Sequence, residues 1–219
     1  MSSTSLWAYL LAAVCGYFIG SLNPASWIAK ARGIDLSSSG SGNPGATNAG
    51  RVMGRKTGIL VMLLDVLKGV VPVLVFDHFF DYPAGELAGV FAILGHITSP
   101  FLKGKGGKGV ATCVGVVLAA NWLWLIPMLI VFAIVYKLTK RVGLGSVAGA
   151  VTLIIESWVW GETWPTHIFG TAVGLLVIVR HWSNLRAAFT GVAHDQRHSA
   201  DSDGTDPHVT DAEDGSKPS

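Results

Sequence analysis

The stretch that decides the fold runs from Gly109 to Leu138 and reads GVATCVGVVLAANWLWLIPMLIVFAIVYKL. Its apolar residues form blocks, without the 2.0 or 3.6 period of an element that is half in water. Helices solvated by lipid have this pattern, and a bilayer core takes ~20 helical residues to cross. The stretch is therefore either one long tilted pass or two short ones that turn at Asn121. The flanking charges choose between them. Lys103, Lys105 and Lys108 precede the stretch, and Lys137, Lys140 and Arg141 close it. One pass would put these clusters on opposite sides of the membrane, whereas a hairpin puts them on the same side. The positive-inside tendency favours the hairpin.

Outward from this hairpin, further apolar runs lie near 6–28, 58–76, 84–102, 144–160 and 164–180. With 109–120 and 122–138 they make seven passes, the N-terminus outside and the C-terminus in the cytoplasm. This arrangement places 15 of the 16 Lys and Arg residues inside; the sixteenth, Lys68, lies within the second run. The outer turns carry Asp77, Asp81, Glu86 and Glu162 instead, and Trp122, Trp124, Trp158, Trp160 and Trp164 gather near them as an aromatic belt. The fold expected is an all-α membrane protein: a seven-transmembrane-helix bundle with glycine-rich cytoplasmic interfacial loops, in the cytoplasmic (inner) membrane. Residues 1–5 lack a basic segment, so the first run is expected to stay as an anchor. Residues 1–193 form the membrane domain. Residues 194–219, with seven acidic and two basic side chains, are expected to be a disordered, dispensable tail. Cys15 and Cys113 have neither disulfide-framework nor zinc-ligand spacing, and no metal site is expected.

Seven passes bring every polar, glycine-rich cluster to the basic face. The first is 40–51, with Gly40, Gly42, Gly45 and Gly50, the neutral donors Ser41, Asn43, Thr47 and Asn48, and Arg51 at its end. Glycine allows a backbone to approach a ligand closely, and successive N–H groups in such a loop can form an anion cradle. Arg51 adds a planar cation suited to phosphate. A flexible linker is the plainer alternative, but a linker has no need of that polar set. The second cluster is 95–112. Gly104, Gly106 and Gly109 spell G-x-G-x-x-G, yet an apolar helix precedes them where a dinucleotide site needs a strand. Gly109 follows Lys108 where a Walker loop has Ser or Thr. Neither nucleotide nor nucleic acid is therefore expected. What remains is a glycine loop with Lys105 and Lys108 that opens a helix, a setting that favours phosphate. Asp65 and Lys68, three residues apart on one helical face, are either a structural ion pair or functional groups. His96 and His181 each flank a loop, as bases or as hydrogen-bonding residues.

These motifs together resemble the bacterial membrane acyl-phosphate:glycerol-3-phosphate acyltransferases of the PlsY type, over roughly residues 8–191. The resemblance rests on Gly20-Ser21, Gly40 to Arg51, Leu64 to Gly69, Gly95-His96, Lys105 to Thr112, and Arg180-His181 with Asn184. Gly143, where the family often has serine, and Leu185, where it commonly has an acidic residue, are departures. The resemblance implies transfer of a fatty acyl group from acyl phosphate to the 1-hydroxyl of glycerol 3-phosphate, giving lysophosphatidic acid and phosphate without a cofactor. It places Ser41, Arg51, Lys108, Ser146, His181 and Asn184 in the catalytic site. Gly42, Asn43, Thr47, Asn48, His96, Lys105, Gly106 and Gly107 would hold substrate. The proton acceptor stays open between His181 and the donor's own phosphate.

Two rival readings are an organic-anion or phosphate transporter and a lipid phosphatase. A transporter is expected to place broken helices at mid-membrane in repeat-related halves, and no such symmetry is visible here. The charge split sets a topology test. In a background without Cys15 and Cys113, single cysteines at positions 82 and 162 should react with an impermeant thiol reagent added outside. Cysteines at 39, 104 and 140 should not. Labelling at 140 but not at 104 would support one long pass.

Overall fold

A computed structural model describes residues 6–189, all of whose regular elements are helical. In order they are α1 (Leu6–Ser21), α2 (Pro24–Ala31), α3 (Ala46–Met53), α4 (Arg55–Phe79), α5 (Ala84–Ile97), a 3-10 turn (Pro100–Leu102), α6 (Val110–Ala120), α7 (Trp122–Thr139), α8 (Val142–Val159), α9 (Trp164–Arg180) and α10 (Trp182–Phe189). The acidic tail expected at 194–219 lies outside the described residues.

The seven apolar runs reappear as α1, α4, α5, α6, α7, α8 and α9. Five spans, taking α1 with α2 as one, are long and apolar enough to cross a membrane, and α9 with α10 makes a sixth that bends by 57°. The short one is α6, whose 11 residues reach only about 16 Å. Gly109, at φ 79°, starts it and Asn121 stops it. The Asn121 side chain then accepts the Leu123 N–H at 3.2 Å and so caps α7. The hairpin itself is present. Lys108, just before α6, bonds Asn184, and Asn184 packs against Gly143 at the start of α8. The chain therefore leaves and regains the same face through α6 and α7.

The run expected at 6–28 is broken at Leu22-Asn23. Pro24 has no N–H and favours the first position of a new helix, and Asn23 accepts the Ser26 N–H at 2.8 Å. In a continuous helix that N–H would have gone to the Leu22 carbonyl. Lys68 takes its place, donating from Nζ to Leu22 O at 2.7 Å, while Ser99 Oγ serves Ser21 O at 2.7 Å. The stretch 40–51 departs from a pure loop as well, since its second half is α3.

Lipid offers helices no hydrophobic drive to associate, so close backbone packing does much of that work. Gly16 and Gly20 on α1 lie against the Ala88 and Ala92 carbonyls of α5, and Gly95 of α5 lies against Tyr17. Gly69 and Gly115 bring α4 and α6 together in the same way. On the outer surface Leu10, Val14 and Phe18 of α1 remain exposed to lipid. A Cβ on Gly20 would collide with the Ala92 carbonyl, which cannot rotate away. Gly20→Val is therefore expected to destabilise the purified protein by about 1–3 kcal/mol or more, the scale of overpacking. Leu10→Val, on the lipid-facing side of the same helix, should stay within about 0.5 kcal/mol. Thermal unfolding in detergent compares the two.

Candidate active site

The second glycine loop is held from both sides. Its Gly106 and Gly107 N–H groups donate to the Ile97 and His96 carbonyls at 3.0 and 3.1 Å, and Gly104 N–H donates to Ser99 O at 2.9 Å. Arg180, at the end of α9, donates to the Gly107 and Gly106 carbonyls from Nε and Nη2, each at 3.0 Å. Neither glycine has room for a Cβ. Gly106 lies against the His96 carbonyl, and Gly107 lies against the His96 ring. The loop N–H groups that looked available for an anion are thus largely engaged within the loop. The cation that follows them is presented to the site.

That cation is Lys108. Its Nζ donates to Asn184 Oδ1 at 2.7 Å, joining the start of α6 to α10. Burial first, and then the neighbouring Arg180 guanidinium, hold its ammonium below the usual lysine range. Beside it His181 closes α9, buried at 1% exposure. Its Nδ1 lies 2.8 Å from Val177 O, which can only accept, so Nδ1 carries the ring proton and Nε2 offers a lone pair. Burial, with Lys108 and Arg180 acting in the same direction, pushes this imidazole down to about 4. The ring is therefore neutral near pH 7. Ser146, one turn beyond Gly143 on α8, is buried and donates to Val142 O at 2.9 Å. Lys108, His181 and Asn184 thus form one group around the ends of α6, α8 and α9.

The first cluster is arranged differently. Gly40 and Gly42 take φ values of 59° and 68°, which a side chain would resist, whereas Gly50 serves the close approach of α3 to Gly58 on α4. Asn48 is buried at 1% and shapes the loop, accepting Ser41 N–H at 2.8 Å and donating to Ser39 O at 3.0 Å. Gly42 N–H donates to Ser39 O, and Gly45 N–H to Asn43 O. The Ser41, Thr47 and Arg51 side chains are exposed, and Asn43 is half-buried. Lys105 is exposed too, and it lines a separate cavity.

His96 is buried among scaffold groups. It lies over Gly107, with Nδ1 3.7 Å from Asp65 Oδ1, while Lys68 Nζ lies 2.9 Å from that same oxygen. Asp65 and Lys68 therefore form a structural pair. Three contributors had no structural role assigned from sequence. Arg180 clamps the glycine loop, Asn23 caps α2 and donates from Nδ2 to Pro44 O at 2.9 Å, and Ser99 serves the helix break. Arg180 stood in the sequence as an inward charge and as part of the Arg180-His181 motif, without a sign that it would clamp the loop. The x-Asn-Pro pattern at 23–24 was the one visible signal for the cap.

Comparison with known proteins gives the family. The glycerol-3-phosphate acyltransferase family profile matches residues 10–191. A glycerol-3-phosphate acyltransferase of Trichormus variabilis is 38% identical over 208 residues, covering 85% of this chain and 92% of its own. One from Listeria monocytogenes is 40% identical over 180 residues, covering 80% and 90%. Among solved structures, PlsY, an integral membrane glycerol 3-phosphate acyltransferase, superposes in its glycerol 3-phosphate form with a TM-score of 0.78 at 34% identity, covering 84% of this chain and 92% of that one. Its lysophosphatidic acid form gives a TM-score of 0.77. With a family match over nearly all of the described helices and relatives this similar over most of their length, the chain belongs to the glycerol-3-phosphate acyltransferase family.

Proposed function

We propose that this protein transfers a fatty acyl group from acyl phosphate to the 1-hydroxyl of glycerol 3-phosphate, releasing phosphate and lysophosphatidic acid. The observation that carries the reading is the meeting of Lys108 and Asn184 at 2.7 Å beside His181, on a loop clamped by Arg180. Family membership supplies the substrate class. The site belongs on the cytoplasmic face of the inner membrane, with the N-terminus outside, because the basic residues gather on that side.

An acyl phosphate is a mixed anhydride and is already activated, so no acyl-enzyme is needed. The glycerol hydroxyl oxygen attacks the acyl carbonyl carbon. The bond from that carbon to the phosphate oxygen breaks, its electron pair leaves with phosphate, and the hydroxyl proton passes to a base. His181 Nε2, with its lone pair free of the Val177 contact, is one acceptor, and the departing phosphate is the other. Two phosphates have to lie close together, and Lys108 and Arg51 offset their repulsion. Asn184 holds the Lys108 ammonium in place, Ser41 and Ser146 supply hydroxyls, and the loop from Gly42 to Asn48 shapes the wall. Orientation and fixed charge of this kind act without reorganisation at the moment of reaction.

Lys108→Ala and Arg51→Ala should each remove a hydrogen bond to a charged group, about 1.5–3 kcal/mol. That corresponds to a loss of at least ~tenfold in kcat/KM. Arg51→Lys should not restore full activity if the guanidinium binds as a fork. Full activity in either alanine variant would remove that residue from the site.

The donor is tested with purified protein in detergent or lipid. Acyl phosphate and glycerol 3-phosphate should give lysophosphatidic acid with no added metal or nucleotide, while acyl-CoA and acyl-carrier-protein thioesters stay inert. Comparable turnover with acyl-CoA would overturn the donor assignment and leave the acyltransferase class intact. Phosphate flux in liposomes with no lysophosphatidic acid from any donor would favour a transporter.

A further inference from the structure

Away from Lys108, His181 and Asn184, α2, the segment after it and the loop at Leu102 and Lys105 line an open cavity of about 470 Å³. That volume falls within the ~300–1,000 Å³ of small-molecule sites. Ala29, Ile34, Leu36, Pro44 and Leu102 give it an apolar lining, and Lys30 and Lys105 reach it from opposite segments. Its one carboxylate, Asp35, is engaged elsewhere. Asp35 accepts the Ser37 N–H and hydroxyl at 2.9 and 2.7 Å, and the Ser38 hydroxyl at 2.9 Å. Among the described residues no ion pair joins Asp35 to either lysine. The cavity thus combines two ammonium groups and one ionised carboxylate, a net positive charge, with an apolar lining. Trp27 and Phe101, neighbours in sequence of the lining residues Ser26 and Leu102, are large side chains left exposed as membrane-interface anchors are.

We propose that this cavity is a second binding site, for an anionic phospholipid of the phosphatidate class. The monoester phosphate would sit between Lys30 and Lys105, and the start of an acyl chain would lie on Ala29, Ile34 and Leu102. Two point-charge cations match a dianionic headgroup, and lysine binds phosphate as a point charge. Free phosphate would use the cations and leave the apolar lining without a partner. Such a lipid would bridge the segment that ends at Pro44 and the loop that leads to Lys108. Lipid occupancy would therefore couple to the positions of both loops.

The test uses the full chain in detergent, and native mass spectrometry counts retained lipid. Wild type should retain phosphatidate at least tenfold better than phosphatidylcholine, and better than phosphatidylglycerol. Lys30→Glu should abolish that preference while its turnover in pure phosphatidylcholine bilayers stays unchanged. Equal phosphatidate retention by Lys30→Glu would overturn the site. Displacement of phosphatidate by millimolar inorganic phosphate would overturn the lipid assignment in favour of a simple anion site. Equal retention of phosphatidylglycerol would overturn the dianion assignment. The readout is binding, so it stands or falls separately from the proposed reaction.

Discussion

One buried ammonium holds together what the rest of the basic face depends on. Lys68 lies within α4, paired with Asp65 at 2.9 Å and donating to the Leu22 carbonyl at 2.7 Å. A charge within the membrane span is costly unless it is paired and its donors are used. The break between α1 and α2 supplies the missing acceptor, because Asn23 has taken the N–H that Leu22 would otherwise receive. The helix break and the buried pair therefore require each other. Removing the lysine would leave an orphan carbonyl and an unpaired carboxylate. From the same carboxylate the packing continues through His96 to Gly107, next to Lys108.

Glycine does three separate jobs in this chain. On α1, α4, α5 and α6 it brings helix backbones close together where lipid supplies no other drive. At Gly40, Gly42, Gly104 and Gly109 it provides positive φ for turns. At Gly106 and Gly107 it makes room for His96, so that the loop can lie flat against the end of α5. Only the second of these jobs is the conformational freedom usually associated with a glycine loop. The N–H groups of 104–107 meanwhile close bonds to Leu102, Ser99, Ile97 and His96. The loop therefore serves as a rigid bracket for one cation rather than as an open cradle.

Rigidity of this kind suits a reaction between two phosphate-bearing molecules. A lysine on a mobile loop would have to be ordered each time substrate arrived. Here Arg180 ties the loop carbonyls to α9, and Asn184 ties the ammonium to α10. The lowered ammonium basicity at Lys108 follows from the same crowding, since burial and Arg180 both disfavour its charge. A phosphate arriving there would relieve that repulsion.

Much of the fold was legible in the sequence because lipid imposes a simple rule on composition. Apolar blocks gave the seven helices, and the placement of Lys and Arg gave the hairpin at Asn121, because charge asymmetry acts on each loop separately. Lys108, His181 and Asn184 were named for the site through the family motifs that carry them, Lys105 to Thr112 and Arg180-His181 with Asn184. What the sequence did not determine was the pairing between distant segments. It gave no sign that Lys68 would reach Leu22, that Arg180 would face inward to a loop rather than outward to water, or that Asn48 would be spent on its own loop. Nor did it show that Lys105 would line a cavity beside α2 while Lys108, three residues on, would bond Asn184. Local pattern records how each segment meets its solvent, whereas these contacts depend on which helix ends the packing of α1 on α5 and of α4 on α6 brings together.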